Sequence, residues 1–435
     1  METQFPVYRY QTLVIGSGCA GFNAADWLWA LGCHDVAILT EGLNMGTSRN
    51  TGSDKQTYYK LSLAGEDADS VMEMAKTYRE GGMNGDLALA EAAGSTKAFY
   101  KLVNLGVPFP CNEYGEYVGY KTDHDPRQRA TSAGPLTSKY MTQCLQRAVE
   151  KKEIPIFDGM QAVQLVTTGG EAPRVCGVLA VDSRRSGEDA MGLTLFLCDN
   201  VIAATGGPAG VYQNSVYPKS QTGSTGMLLE AGAWASNLQE WQYGLASTGF
   251  RWNVSGTYQQ VLPRYVAVDE RGNEREFLPD YFQSPGQALD CVFLKGYQWP
   301  CDVRKLDGSS AIDLIVHHEV FDLHHKVYLD FRADPIGLED GFDALGREAR
   351  EYLENSGALL KTPIARLRRM NPQAIELYRS HGIDLEREML EISVCAQHNN
   401  GGIQVDTDWQ TNVRGLYAAG EAAGTFMWYR PGDLR

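Results

Sequence analysis

Apolar and polar positions along this chain follow two different periods. Nearly continuous apolar runs, LVI at 13–15, VAILT at 36–40 and LFLCDNVIAA at 195–204, have the length and composition of strands buried on both faces. Between the first two lies FNAADWLWALG, and further on DSVMEMAKTYREGG and LALAEAAGSTKAFYKLVNLG place apolar residues three to four apart, so residues 66–106 are predicted to be helical. Gly106-Val107-Pro108 ends the second of these helices. The polar stretch TDHDPRQRATSAGP is predicted to be a loop. SKYMTQCLQRAVEKKE then gives another helix, followed by strands around IPIFDG, AVQLVTT and RVCGVLAVD. No internal repeat or low-complexity linker interrupts the order.

The first strand breaks into Gly16-Ser17-Gly18-Cys19-Ala20-Gly21, and the second apolar run ends at Glu41. That spacing is the signature of a dinucleotide-binding turn. Gly16 permits the tight turn, Gly18 lets a pyrophosphate approach the backbone, and Gly21 lets the helix pack on the strand. Ser17 and Ala20 in the same turn are taken with them as cofactor contacts. The helix N-terminus offers free amides and the positive end of its dipole, and Glu41 is placed to accept a ribose hydroxyl. Thr205-Gly206-Gly207 closes the third run with small residues that again admit a ligand close to the backbone.

Length and charge narrow the class. A chain of 435 residues has room for two domains and a large core. A formal charge of −15 disfavours nucleic acid or an anionic membrane surface as partner. No apolar stretch is long enough to span a bilayer, and the first residues lack a signal-peptide pattern, so a cytoplasmic location is expected. The nine cysteines are scattered, without C-x-x-C spacing, and are expected to be reduced core thiols. An iron-sulfur centre would then sit on a partner.

GSGCAG with Glu41, the strand ending ATGG, the helix MLLEAGA, VYLDF, the NNGG turn and the late GLYAAGEAAG occur in the order found in fumarate reductase and succinate dehydrogenase flavoproteins and L-aspartate oxidase. The chain resembles that family from about Gln11 to Pro431. The resemblance implies an α/β fold, a Rossmann-type FAD-binding domain interrupted by an α+β capping domain. Its first part would cover 1–240, the capping or substrate domain 241–370, and a shortened return segment 371–435. It also assigns Ser48, Thr51 and Gly52 to the loop passing the flavin and pyrophosphate, Ala162 and Val163 to the adenine strand, and Gly420-Glu421 to the ribityl hydroxyls. Thr222, Ser224 and Thr225 stand where the family has an acidic cofactor contact.

Departures from the family pattern matter as much. The loop from Ser48 to Gly52 has no histidine, so FAD is expected to be bound non-covalently. The family's QxHP-like segment is here Glu240-Trp241-Gln242-Tyr243-Gly244, its proton-delivering arginine falls near Ser309 and Ser310 with Arg304 closest, and its second substrate histidine falls on Gln397 with His398 beside it. Arg304, Gln397 and His398 are therefore the catalytic candidates, with Arg251, Arg264, Gln242 and Tyr243 as rim groups. A guanidinium there would orient a carboxylate, and His398 would exchange a proton near neutral pH. His317-His318 and His324-His325 sit at a helix end without further convergent ligands, so no metal is expected.

The expected function is an FAD-dependent oxidoreductase working on a small organic molecule, a carboxylate being one candidate, rather than a standard fumarate reductase or succinate dehydrogenase. Electrons would pass to or from an external partner, since no second glycine-rich nucleotide motif is visible. The alternative is a non-catalytic or truncated FAD-fold binding or assembly protein, because family members continue past the YRPG-like segment where this chain ends at Arg435.

Overall fold

The computed structural model describes residues 5–65, 68–122, 125–170, 172–188 and 190–424. The last part of the expected return segment, 425–435, lies outside the described residues.

The apolar runs form the predicted buried sheet. Val7–Ile15 lies between Val36–Thr40 and Leu193–Ala203, and Ile156–Asp158 extends the sheet beyond Val36–Thr40, all parallel. Beyond Leu193–Ala203, Val175–Asp182 and Met160–Thr167 continue as an antiparallel meander, while Leu416–Ala418 runs parallel to the last turns of Leu193–Ala203. Leu13, Val14, Ala37, Ile38, Phe196 and Val201 are fully buried there. The helix Cys19–Ala30 follows the first strand at once and buries Phe22 and Ala25, the βα step of a nucleotide-binding fold.

The predicted helices form at Val71–Glu80, Gly85–Asn104 and Thr137–Lys151. Ser70 caps the first by accepting from the Glu73 N–H, and Asn84 caps the second through the Asp86 and Leu87 amides. The polar stretch predicted as loop is different. Asp125–Thr131 is a strand between Tyr58–Tyr59 and Tyr120–Thr122. Its Arg129 is completely buried, with the guanidinium 2.7 Å from Asp69 and 3.2 Å from Asp125. Opposite charges from a separate segment allow a polar strand to go inside, and hydropathy alone does not carry that information.

A second, antiparallel sheet runs in the order Trp252–Asn253, Trp241–Ser247, Leu390–Asn399, Lys326–Asp330, Arg264–Val268, Glu274–Glu276. Helices Pro285–Lys295, Ser309–His317, Arg347–Asn355, Pro363–Met370 and Pro372–Ser380 pack on it around Phe277, Phe293, Ile312, Leu353 and Tyr378. This is the expected α+β unit. Its core reaches past residue 371. Ala374, Tyr378, Leu385, Leu390 and Ile392 belong to this second core, so the chain turns back toward the first unit only along Leu390–Asn399.

Two smaller expectations also change. All nine cysteines are free, but Cys33 and Cys111 are exposed rather than in a core. The histidine pairs are not simply solvated: His325 Nδ1 lies 2.7 Å from Glu319, whose carboxylate is wholly buried and also accepts from Arg275 and Tyr281, while His318 pairs with Asp322. Among the described residues, no helix is long and apolar enough to cross a membrane.

Candidate functional site

The parallel strands stop level with one another, and their C-terminal ends build a crevice. The Gly16 N–H donates to Leu39 (2.8 Å), Ala204 to Ile15 (2.8 Å) and Ala419 to Ala203 (3.0 Å), so the residues that follow each strand emerge side by side. The resulting cavity, of about 320 Å³, is lined by Gly16, Ser17, Gly18, Ala20, Glu41, Ser48, Ala162, Thr205, Gly206, Gly420 and Glu421 among others. These eleven expected cofactor residues, drawn from six separate stretches of chain, meet in one place. The crevice outside the carboxyl ends of the strands is where α/β sheets bind nucleotides.

Its middle suits a diphosphate. Gly16 adopts φ +111°, and a Cβ there would run into the Ala204 carbonyl. A Cβ on Gly21 would strike the Gly16 carbonyl oxygen, so Gly21 allows close helix packing without itself lining the cavity. The helix Cys19–Ala30 has no acidic residue in its first turn. The Cys19 N–H donates to Ser48 Oγ (3.3 Å), while the next amides, in the first turn, have no acceptor within the helix. Together with the helix dipole they present positive potential to the cavity.

The two ends differ in character. At one, Glu41 lines the cavity together with Met160, Gln161 and Ala162 from the start of the strand Met160–Thr167. Val163, expected beside Ala162, is instead 40% exposed and off the wall. At the other, Glu421 follows the last parallel strand. Its Oε1 accepts from the Asn399 N–H (3.0 Å), lies 3.0 Å from His398 Nδ1, and accepts from the Tyr217 hydroxyl. Burial pushes the Glu421 carboxyl up, but His398, Tyr217 and the Asn399 amide outweigh it and hold the group below the usual carboxylate range. Burial and the Glu421 charge push the Tyr217 phenol up.

Sequence reasoning missed part of the wall. Gln221 Nε2 donates to the Thr205 carbonyl (2.6 Å) and Ser224 Oγ to Thr205 Oγ1 (2.5 Å), which fixes the edge formed by Thr205 and Gly206. Thr222 and Ser224 line the cavity as expected; Thr225 does not. Met45, in the loop before Ser48, also lines the wall, and Tyr217, which carried no motif signal, reaches Glu421 from 204 positions away. Thr51, Gly52 and Gly207 stand outside the wall. Thr51 Oγ1 donates to the Val216 carbonyl (2.8 Å), Gly52 accepts from the Asn253 N–H (3.0 Å), and Gly207 leaves room for the Glu421 side chain.

Arg304, Gln397 and His398 do not line the cavity. Arg304 lies in the turn Val303–Lys305 with its side chain 77% exposed, and its guanidinium bonds to both oxygens of Asp302 at 2.9–3.2 Å. The fork expected to clamp a substrate carboxylate is here engaged by a carboxylate of the same turn. Gln397 is buried, accepts from Asn253 (3.1 Å) and donates to the Gly244 carbonyl (2.9 Å), tying three strands of the second sheet. His398 reaches a crevice residue, Glu421. Of the rim groups, Arg264 pairs with Glu276 and Asp330, Arg251 donates to the Tyr217 and Gln213 carbonyls, and Gln242 donates to Asn400 (2.8 Å).

Known proteins place this geometry. L-aspartate oxidase 2 of Ralstonia nicotianae is 25% identical over 424 residues, covering 95% of this chain and 67% of that protein. The E. coli quinol fumarate reductase FrdA superposes with a TM-score of 0.64 at 19% identity, over 97% of this chain and 66% of that one. Mycobacterium smegmatis Sdh1 gives 0.67 at 18% identity, over 97% and 65%. At those identities the structures share the fold, and the chain spans about two thirds of the length of these relatives. The FAD binding domain family matches residues 11–433. With the glycine turn, Glu41 and Gly420-Glu421 converging on the crevice that such a family requires, the chain belongs to the FAD binding domain family, and its cofactor is FAD.

Proposed function

We propose that this protein is an FAD-dependent oxidoreductase that exchanges a hydride with a small organic substrate and is not a standard fumarate reductase or succinate dehydrogenase. The convergence of eleven expected cofactor residues on one crevice carries the proposal. Bound FAD supplies a hydride acceptor and donor at flavin N5. Gly18, Ala20 and the start of helix Cys19–Ala30 would hold the diphosphate, Glu41 and Ala162 the adenosine end, and Ser48, Gly420 and Glu421 the flavin end. Attachment is non-covalent in this reading, since none of the described histidines lines the crevice.

The chain's own part is to hold and move a proton. His398 is 43% exposed at its side chain and touches the crevice carboxylate of Glu421. It can take a proton from solvent on one side and share it with a buried anion on the other. Gln397 acts as a positioning residue by fixing the strand that carries His398. The relatives named L-aspartate oxidase and fumarate reductase point to small carboxylates for those proteins. Here Ser309 and Ser310 replace the expected arginine, and Ser309 Oγ is spent on Gln298 (2.7 Å), which supports a different substrate. An external partner would complete the electron transfer.

Reconstitution with FAD under anaerobic conditions tests the reading. A yellow protein that bleaches with reductant and regains colour with an acceptor supports it. A protein that stays colourless with excess FAD contradicts it, as would fumarate reduction at a substantial rate.

A further inference from the structure

Beside the Glu421 end of the crevice, aromatic rings from two segments form a continuous surface. Tyr217 donates to Glu421 and meets Trp241 edge-on, with ring centroids 6.3 Å apart. Trp241 in turn meets Tyr212 at 5.0 Å, and Tyr212 meets Tyr243 at 5.8 Å, both near-perpendicular. Tyr212 and Tyr243 are 37% and 36% exposed, so the outer rings present their faces and edges to solvent. Their hydroxyl oxygens are 2.7 Å apart. In such a pair one hydroxyl donates to the other, and the accepting one keeps its own hydrogen for a third partner. Burial and Tyr212 push the Tyr243 phenol up to about 12.

Charge at this rim runs against a dianion. The guanidinium that reaches this segment, Arg251, is held on the Tyr217 and Gln213 carbonyls. The nearest crevice group is itself the carboxylate Glu421, and the whole chain carries −15. Edge-to-face rings recognise planar apolar groups, and a free phenolic hydrogen recognises an acceptor oxygen.

We infer that the substrate is an uncharged, ring-bearing molecule with a carbonyl or hydroxyl oxygen, seated on Trp241, Tyr212 and Tyr243 with that oxygen accepting from the tyrosine pair. This rests on the reading that FAD fills the crevice, which puts the aromatic surface one side chain from its flavin end.

The test uses the FAD-reconstituted protein and follows perturbation of the flavin absorbance by acetophenone, a neutral aryl ketone, and by malonate, a dicarboxylate. Acetophenone is expected to saturate at a dissociation constant at least about tenfold below that of malonate. Tyr212→Ala and Trp241→Ala are each expected to weaken acetophenone about tenfold, and Tyr212→Phe by less, all without change in FAD affinity. Tyr212 stands in a loop, so its variants report even if Trp241→Ala fails to fold. Equal or tighter malonate binding, no response to either probe, or unaltered acetophenone binding in the Tyr212 variants would overturn the inference while leaving FAD binding intact. Failure to take up FAD at all would overturn both.

Discussion

Glu421 gathers a phenol, an imidazole and a backbone amide on a single oxygen, and its state governs how the crevice end is wired. Because its folded-state pKa is lowered, its stabilising contribution is present above the ordinary carboxylate value and is lost as pH falls through the depressed one. Glu421→Gln is therefore expected to flatten the acid side of a stability-against-pH curve measured by denaturant unfolding. Arg304 gives a second titration. Its hydrogen bonds, followed by smaller charge effects, hold Asp302 down to about 2. Arg304→Ala should let that carboxyl rise toward 3.8, seen by carboxyl NMR titration, and the stability that the parent loses as pH falls from 3.8 to about 2 should shrink with it. An unmoved Asp302 would show that the pairing does not persist in solution. Gln397→Ala removes a buried donor and acceptor and leaves Asn253 and Gly244 unmatched. It should cost about 1–3 kcal/mol in chemical denaturation.

At the scale of elements, the glycine turn was legible because everything it needs is local. Gly16, Gly18 and Gly21 follow one strand and open one helix, and Glu41 closes the next strand. Gly21→Ala tests this directly. The methyl group would collide with the Gly16 carbonyl, pushing helix Cys19–Ala30 off its strand, and FAD binding should be abolished in equilibrium dialysis. The strand Asp125–Thr131 was not legible, since its burial depends on Asp69 and Thr77 from another segment meeting Arg129. Arg129→Met would leave the buried Asp125 without its cation and Asp69 with Arg127 at 3.7 Å, at a cost of about 3–5 kcal/mol. The reach of the second unit was hidden for a similar reason. The helix Pro372–Ser380 looks like any amphipathic helix until Tyr378 is seen against Phe250 and Tyr258.

The molecule as a whole consists of two cores joined where Leu390–Asn399 leaves the second sheet and delivers Gln397, His398 and Asn399 to the first. The nucleotide half of the site was visible in the chain because its residues stand at strand ends. The side proposed for the substrate was not, since Tyr217 reaches Glu421 from 204 positions away and the Tyr212–Tyr243 pair joins two segments. FAD that binds only the folded protein should stabilise it by about 2.7 kcal/mol at a hundredfold excess over its dissociation constant, and the melting temperature should climb with FAD concentration. The most direct measurement is a crystal structure of the FAD-reconstituted protein. Density for the diphosphate over the first turn of helix Cys19–Ala30, with the ribose at Glu41 and the flavin end at Glu421, is what the account requires. A crevice closed by its own side chains, or FAD held elsewhere, would contradict it.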